Sequence, residues 1–311
     1  MNYRVLTPEQ VAHYHKNGYL HIPGFLSEID IKKLKAACQK QLVGDIGVLH
    51  EFDHLTLQPR IVTIMKDLLG EVVVYPGLSF ARTNDFPDKR GSRGFHSDVA
   101  YEDDNFSTHY PIINTGFYLQ DHVAWSNALK VIPGSHTRKC IYVRSFKDGF
   151  KKMVQFLLKG RWKTALGIFD FSPSVNIESR AGDMLIWSTR IHHSGYGMRP
   201  KLFPKLSLHP LFEDILPTWL FLPPHPERDV ILSIYAAPGK TFENYMNVQK
   251  RKQHRREHFL ASNFETSTVR ELAKQSGIML RNDGHEYAKD PNSVFDYRGV
   301  DKISGKPGKQ T

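Results

Sequence analysis

The segment Gly94-Phe95-His96-Ser97-Asp98 carries an imidazole and a carboxylate two positions apart. In an extended chain the period of two puts both on one face. Far downstream, Ile191-His192-His193-Ser194-Gly195 offers two more imidazoles. Two histidines and one carboxylate form a set typical of non-haem Fe(II) sites, which keep positions open for oxygen and a co-substrate. A lone His-x-Asp arises by chance in a chain with 16 histidines. Its meaning rests on the elements that would bring the two segments together.

Those elements must be built from 311 residues, 40% of them hydrophobic and 24% charged. That is enough for one large domain with an ordinary core. Two cysteines, Cys38 and Cys140, exclude a disulfide scaffold and a cysteine-based zinc cluster. They fit free thiols in a reducing compartment. Met1 to Gln10 lacks an apolar leader and no run of 18 apolar residues occurs, so the expectation is a soluble, cytoplasmic protein without a membrane partner. The net charge is +10, and residues 240–311 hold 14 Lys or Arg against 9 Asp or Glu. The densest run, Lys250-Arg251-Lys252-Gln253-His254-Arg255-Arg256, reads most simply as a solvated surface. It could also meet phosphates or an anionic substrate. No nucleic-acid-binding motif accompanies it, and nucleic acid is not expected as a partner.

Along the chain, Thr7-Pro8-Glu9-Gln10 is a capping box with Pro at the first helical position. Ile31, Leu34, Cys38 and Leu42 make one apolar stripe, and Pro59 opens a third helix ending at Gly70. Strands are expected at 19–22, 72–75, 78–80, 115–123, 129–132, 184–187, 206–211 and 230–234, with a helix over 146–158. Segments 84–93, within a polar loop over 82–93, 101–110 and 138–172 form rims. A second capping box, Thr268-Val269-Arg270-Glu271, starts a helix that stops at Gly277. Short strands broken by Gly and Pro turns argue for an antiparallel double-sheet barrel. No glycine-rich phosphate loop is present. The simplest organisation is a catalytic domain over 1–238 and a basic, partly helical extension over 239–311, disordered from about Ser304.

Four features resemble the phytanoyl-CoA dioxygenase family of Fe(II)- and 2-oxoglutarate-dependent oxygenases. They are Asn17-Gly18-Tyr19 through Pro23-Gly24-Phe25-Leu26, Phe95-His96-Ser97-Asp98, Asp121 with Asn127-Ala128-Leu129-Lys130-Val131-Ile132-Pro133-Gly134-Ser135-His136, and Gly182-Asp183 followed by His192-His193-Ser194-Gly195. The third is the most specific. The resemblance implies a mainly β fold with flanking helices around a double-stranded β-helix (jelly roll, cupin-like) core. It implies Fe(II) and 2-oxoglutarate as cofactors, O2 and a small-molecule substrate as partners, and oxidation of an unactivated C–H bond with release of succinate and CO2. Iron would be held by His96, Asp98 and a later histidine. Counting back from Ser194-Gly195 favours His192 over His193. A carboxylate at Asp98 favours hydroxylation, desaturation or ring formation over halogenation.

The chain departs from the family at one point. An Arg is usual about eleven residues after the distal His, to grip the remote carboxylate of 2-oxoglutarate, but that position is Phe203. Lys205 and Ser207, two apart and so on one face of an extended chain, are the nearest substitutes, with Arg199 and Lys201 as rivals. Arg82 and Thr115 are further candidates for the near carboxylate or the substrate. Missing this Arg also fits a catalytically inactive member that acts as a binding or regulatory protein. For the substrate, Tyr101-Glu102-Asp103-Asp104 suits an amine, while Arg144, Lys147 and the basic cluster suit an anion. Oligomeric state is open.

Overall fold

The computed structural model describes residues 5–42, 49–77, 80–82, 95–99, 103–141, 143, 146–252, 255–261 and 267–295. The expected rim over 84–93, Tyr101-Glu102, Arg144, Gln253-His254 and the tail from Ser304 lie outside them.

The amino-terminal part is helical: α1 (Pro8–Asn17), α2 (Glu28–Leu42), α3 (Leu49–Thr56) and α4 (Pro59–Leu69). The Thr7 capping box opens α1 as its sequence requires, and Gly18 closes it in the left-handed conformation. Helix α3 leaves no sequence signal, because a stretch of 8 residues shows too few repeats of its apolar spacing. Next come β1 (Tyr19–Ile22), β2 (Val74–Tyr75), β3 (Phe80–Arg82), β4 (Ile112–Tyr118), β5 (Ala128–Val131), β6 (Val175–Asn176), β7 (Met184–Ser188), β8 (His193–Gly197), β9 (Val230–Ala236) and β10 (Met279–Leu280). Two helices, α5 (Phe146–Leu158) and α6 (Trp162–Leu166), fill the gap between β5 and β6. Helix α7 (Pro210–Ile215) lies before β9, while α8 (Lys240–Lys250), α9 (Arg256–Ala261), α10 (Ser267–Ser276) and α11 (Asp283–Lys289) follow it.

A large sheet runs β1-β7-β4-β9-β2-β10 with β3 also on β9, and a small sheet runs β6-β5-β8. All pairings between these strands are antiparallel except β10 with β2. The alternation of each central strand sorts its residues between two layers. Ile113 and Phe117 of β4, Met184 and Ile186 of β7, and Ile231 and Tyr235 of β9 pack outward against the first four helices. Tyr118, Leu185, Trp187 and Val230 turn inward and meet Leu129 and Val131 of the small sheet. Two facing sheets with helices outside are the jelly-roll arrangement expected from the sequence.

The strand expected over 206–211 does not form. Leu206 is exposed and the segment leads into α7 instead. The cause is a buried ion pair: Lys130 of β5 donates to the Glu213 carboxylate and to the Leu208 carbonyl. An ammonium and a carboxylate with no exposed surface persist only as partners, so the α7 segment is tied to β5 rather than drawn into a sheet.

Behind the large sheet, the Tyr75 hydroxyl donates to Asp53 and the Tyr235 hydroxyl donates to the Thr56 carbonyl. Burial pushes the Asp53 carboxyl up to about 7, against the pull of the Tyr75 donor. The folded chain therefore holds a proton that the unfolded chain releases near pH 4, so stability falls as pH rises through that window and levels off above about 7. Asp53→Asn removes this dependence. Relative to the native chain, its unfolding free energy from urea titration improves by a few kcal/mol between about pH 4 and 7 and then stays constant. The size follows because a tenfold change in a protonation equilibrium is worth about 1.4 kcal/mol.

Candidate metal centre

His96 is placed by backbone pairing. Its N–H donates to the His193 carbonyl (3.0 Å), and the His193 N–H donates back (2.9 Å), making an antiparallel bridge at the open edge of the small sheet. Directly opposed residues of such a bridge project to the same side. The two rings lie 4.4 Å apart between centroids. Two residues on, where the chain bends away from the bridge, the Asp98 N–H donates to the Thr189 carbonyl and fixes the backbone there. The Asp98 carboxylate thus comes within 3.8 Å of His96 Nε2 and 3.4 Å of His193 Nε2. Ligand atoms from all three side chains lie within 4.8 Å of one another, the one such group of His, Cys, Asp or Glu among the described residues.

This set fits a divalent metal. His193 Nδ1 lies 3.1 Å from the Ile191 carbonyl. A carbonyl only accepts, so Nδ1 carries the proton and Nε2 presents its lone pair toward Asp98 and His96. Asn114 Nδ2 donates to Asp98 Oδ2 at 2.6 Å, fixing the carboxylate from the facing sheet. Bonds of about 2.1 Å at right angles separate ligand atoms by about 3 Å, so the observed spacings need only a small inward movement.

The structure brings His193, not His192, to this group. Neighbours in an extended chain face opposite ways, and only His193 opposes His96. His192 is held on the other side: Ser135 Oγ accepts its N–H, Ile132 N–H donates to its carbonyl, and its Nδ1 sits 2.9 Å from Asp170. Burial alone would depress its pKa, but the Cys140 sulfur and the Asp170 carboxylate outweigh burial and push it up to about 9.

A cavity of about 150 Å³ opens from His96, Asp98 and His193 between the sheets. Tyr118, Trp187, Val230, Leu232 and Ile234 form the large-sheet wall. Burial holds the Tyr118 hydroxyl up at about 12, against the nearby Arg228, so it stays protonated. The sequence-derived cations are elsewhere. Lys205 and Lys201 are exposed, and Ser207 Oγ pairs with Ser174 Oγ at 2.7 Å. Arg199 is buried but committed to Glu178 and to the carbonyls of His122, Val123 and Pro204. Thr115 lies on the outward face, donating to the Ser233 carbonyl. Arg82 pairs through its backbone with Val230 in β3. Of these residues, none whose side chain is described lines the cavity.

Arg228 does. It precedes β9, and its guanidinium reaches Gly195: a Cβ there would stand 3.0 Å from Arg228 Nη2. Glycine at 195 therefore makes room for this side chain. Gly195 is two residues beyond His193, one repeat of about 7 Å along the same face. Arg228 lies 35 residues past His193, with α7 between them, so a count of eleven from the histidine does not reach it. The detectable signal is an Arg almost abutting the alternating run Val230 to Ala236.

The profile of the phytanoyl-CoA dioxygenase (PhyH) family matches residues 40–199, just over half of the chain and including both metal-centre segments. The chain belongs to the phytanoyl-CoA dioxygenase family. Its class is that of the oxygenases that use iron and 2-oxoglutarate. Among solved structures, the chain resembles the non-haem alpha-ketoglutarate-dependent epimerase SnoN from nogalamycin biosynthesis at 17% identity, covering 73% of this chain and 79% of that one, TM-score 0.48. It resembles HygX from Streptomyces hygroscopicus, solved with nickel and 2-oxoglutarate, at 15% identity, 76% and 89% coverage and TM-score 0.47. EctD from S. alaskensis, solved with 2-oxoglutarate and 5-hydroxyectoine, matches at 15% identity, 75% and 76% coverage and TM-score 0.46. No curated protein matches the sequence. No helix among the described residues is long and apolar enough to cross a membrane.

Removing one ligand should separate the two histidines. His96→Ala, Asp98→Ala and His193→Ala each weaken Mn(II) binding at least about 100-fold in equilibrium dialysis, whereas His192→Ala costs less than about tenfold, below the roughly 10–100-fold typical of losing a side chain that supports a ligand. A larger loss in His192→Ala than in His193→Ala would reverse the assignment.

Proposed function

We propose that the protein oxidises an unactivated C–H bond of a small organic molecule with Fe(II), 2-oxoglutarate and O2, releasing succinate and CO2. The observation that carries this reading is the convergence of His96, Asp98 and His193 at the base of a cavity that also holds Arg228. When bound, iron and 2-oxoglutarate would supply the oxidising chemistry. The chain's part is to hold and orient. His96, Asp98 and His193 would hold the metal on one side, with Asn114 keeping Asp98 turned toward it. Arg228 would take the remote carboxylate of 2-oxoglutarate, its planar fork matching two oxygens. The spacing from His193 to Gly195 suits a five-carbon diacid lying between metal and guanidinium.

The apolar wall of Val230, Leu232 and Ile234 excludes water from the reacting centre and strengthens these charge interactions. Protonated Tyr118 adds a fixed donor. The carboxylate of Asp98 supports hydroxylation, desaturation or ring formation over halogenation. With a cation of the expected kind in the cavity, the feature that favoured an inactive member no longer supports it.

Iron-dependent conversion of 2-oxoglutarate to succinate tests the reading directly. Arg228→Ala raises KM for 2-oxoglutarate at least about 30-fold, corresponding to about 2 kcal/mol for a lost charge-assisted pair, and Arg228→Lys recovers part of it. No succinate from the native chain with Fe(II), ascorbate and a broad substrate panel would leave the oxygenase reading without support.

A further inference from the structure

Tyr245 and Gln249 of α8 line the cavity. Beyond α8 the chain turns, with Lys252 N–H donating to the Gln249 carbonyl and Arg255 N–H to that of Lys252, and both cations reach the same lining. The run 250–256 is thus not simply a solvated surface. An equal excess of positive charge lies elsewhere, on the two helices between β5 and β6. Residues 146–166 hold six Lys or Arg against one Asp, the same excess as the whole of 240–311. None of them lines the cavity.

Helix α5 presents apolar side chains on two sides. Gly149, Lys152 and Phe156, at spacings of three and four, are buried against the protein. The fit is close: a Cβ on Gly149 would stand 2.6 Å from the Phe169 ring, and Phe156 shares a small core with Val143, Ala165 and Ile168. Phe146, Phe150 and Val154, four apart, form with Leu157 a second stripe that faces water, Phe150 being 54% exposed. Helix α6 repeats the pattern. Ala165 is buried, while Trp162 and Leu166, again four apart, are 57% and 69% exposed. A row of stacked rings carries this surface on to α7: Phe146 on Phe169 (5.4 Å between centroids), Phe169 on Phe171 (5.7 Å) and Phe171 on Phe212 (6.0 Å). Single exposed apolar side chains are ordinary, but a continuous stretch of them marks a contact surface.

Cations border it. Lys147 and Lys151 flank the α5 stripe, and Lys159, Arg161 and Lys163 surround Trp162, all of them exposed. Lys163 Nζ stands 5.4 Å from the centre of the Trp162 ring. Lys152 is paired with Asp148. Among the described residues no carboxylate pairs with the other five cations of these helices. A second copy of the same face would set like charges against each other. An acidic protein that wraps a helix needs α5 free on more than one side, and Gly149 and Phe156 fix one side to the body. An anionic bilayer meets both demands, since it is negative at its surface and apolar just beneath. Phe, Leu and Trp side chains enter the head-group layer while Lys and Arg heads reach back to lipid phosphates. With 13 residues α5 cannot cross a bilayer, and lying on one asks for no spanning helix. The sequence reasons against a membrane partner concern insertion and leave this mode open.

We propose that the outer face of α5 and α6 is a docking surface for an anionic membrane, entered by Phe150, Leu158 and Trp162 and held by Lys147, Lys151 and the cations around Trp162. The test sediments the full chain with vesicles of phosphatidylcholine alone and with vesicles containing about a quarter phosphatidylserine. At low salt the chain should partition at least about tenfold more strongly onto the anionic vesicles, and most of that preference should vanish by about 0.5 M NaCl. Phe150→Gln with Trp162→Gln, both at exposed positions, should weaken binding at least about tenfold, and so should Lys147→Glu with Lys151→Glu. Lys240→Glu with Lys274→Glu makes the same charge change at exposed sites of α8 and α10 and should leave binding within about twofold. Absence of binding to the anionic vesicles, equal partition onto both kinds, or an equal loss in the α8 and α10 variant would overturn the proposal. So would a chain that ignores vesicles and sediments as a dimer dispersed by Phe150→Gln with Trp162→Gln, which would give the face to a second copy. Because this face stands apart from the cavity, the outcome is independent of the oxygenase reading.

Discussion

The two backbone hydrogen bonds between residues 96 and 193 are the constraint on which the site depends. They join segments almost a hundred positions apart and decide, by the geometry of an antiparallel bridge, which imidazole faces which. Every other feature of the centre follows from that pairing: Asp98 two positions along, Asn114 reaching across from the facing sheet, Gly195 one repeat further on with Arg228 against it. A shift of one residue in this register would present His192 and turn His193 away.

Several residues that carry the family pattern work to keep this register. Ser135 and Ile132, in the segment Ile132-Pro133-Gly134-Ser135-His136, hold the backbone of His192 on both sides. Gly134 N–H donates to the Asn17 carbonyl, and a Cβ on Gly18 would stand 2.5 Å from the His136 ring. The Asn-Gly turn after α1 is therefore fitted to the same segment. Asp183 accepts from Gly24 and Arg180 N–H groups and pairs with His21, fastening the end of β1 to β7. None of these side chains lines the cavity. Their role is to stop the sheets from sliding.

The ligand types are legible in the sequence because a period of two is local and needs no tertiary knowledge. The alternating strands and the capped helices are legible for the same reason. Inferences that need a count across an irregular stretch fail. Counting back from a dipeptide favours His192, but which of two adjacent imidazoles faces inward is set by a cross-strand partner absent from the local pattern. A fixed spacing favours Lys205 and Ser207, neither of which lines the cavity, whereas Arg228, which does, lies 35 residues past His193. Leu206 to Leu211 has the hydrophobicity of a strand, yet buried Lys130 requires Glu213, and helix α7 forms to deliver it. The charge run at 250–256 is ambiguous on composition alone, since nothing local reveals that a turn folds two of its cations inward.

Strand β10 pairs with β2 in parallel at the edge of the large sheet, and α8, α9 and α11 share a core with Val74, Ile112 and Ile234. The chain after 239 is thus both a wall of the cavity and the cover of a sheet edge. Trimming it to obtain a minimal catalytic core would expose the unpaired backbone of β2 together with a greasy face, inviting strand-to-strand association. Insolubility of such a shortened protein would then say nothing about whether its metal centre is intact.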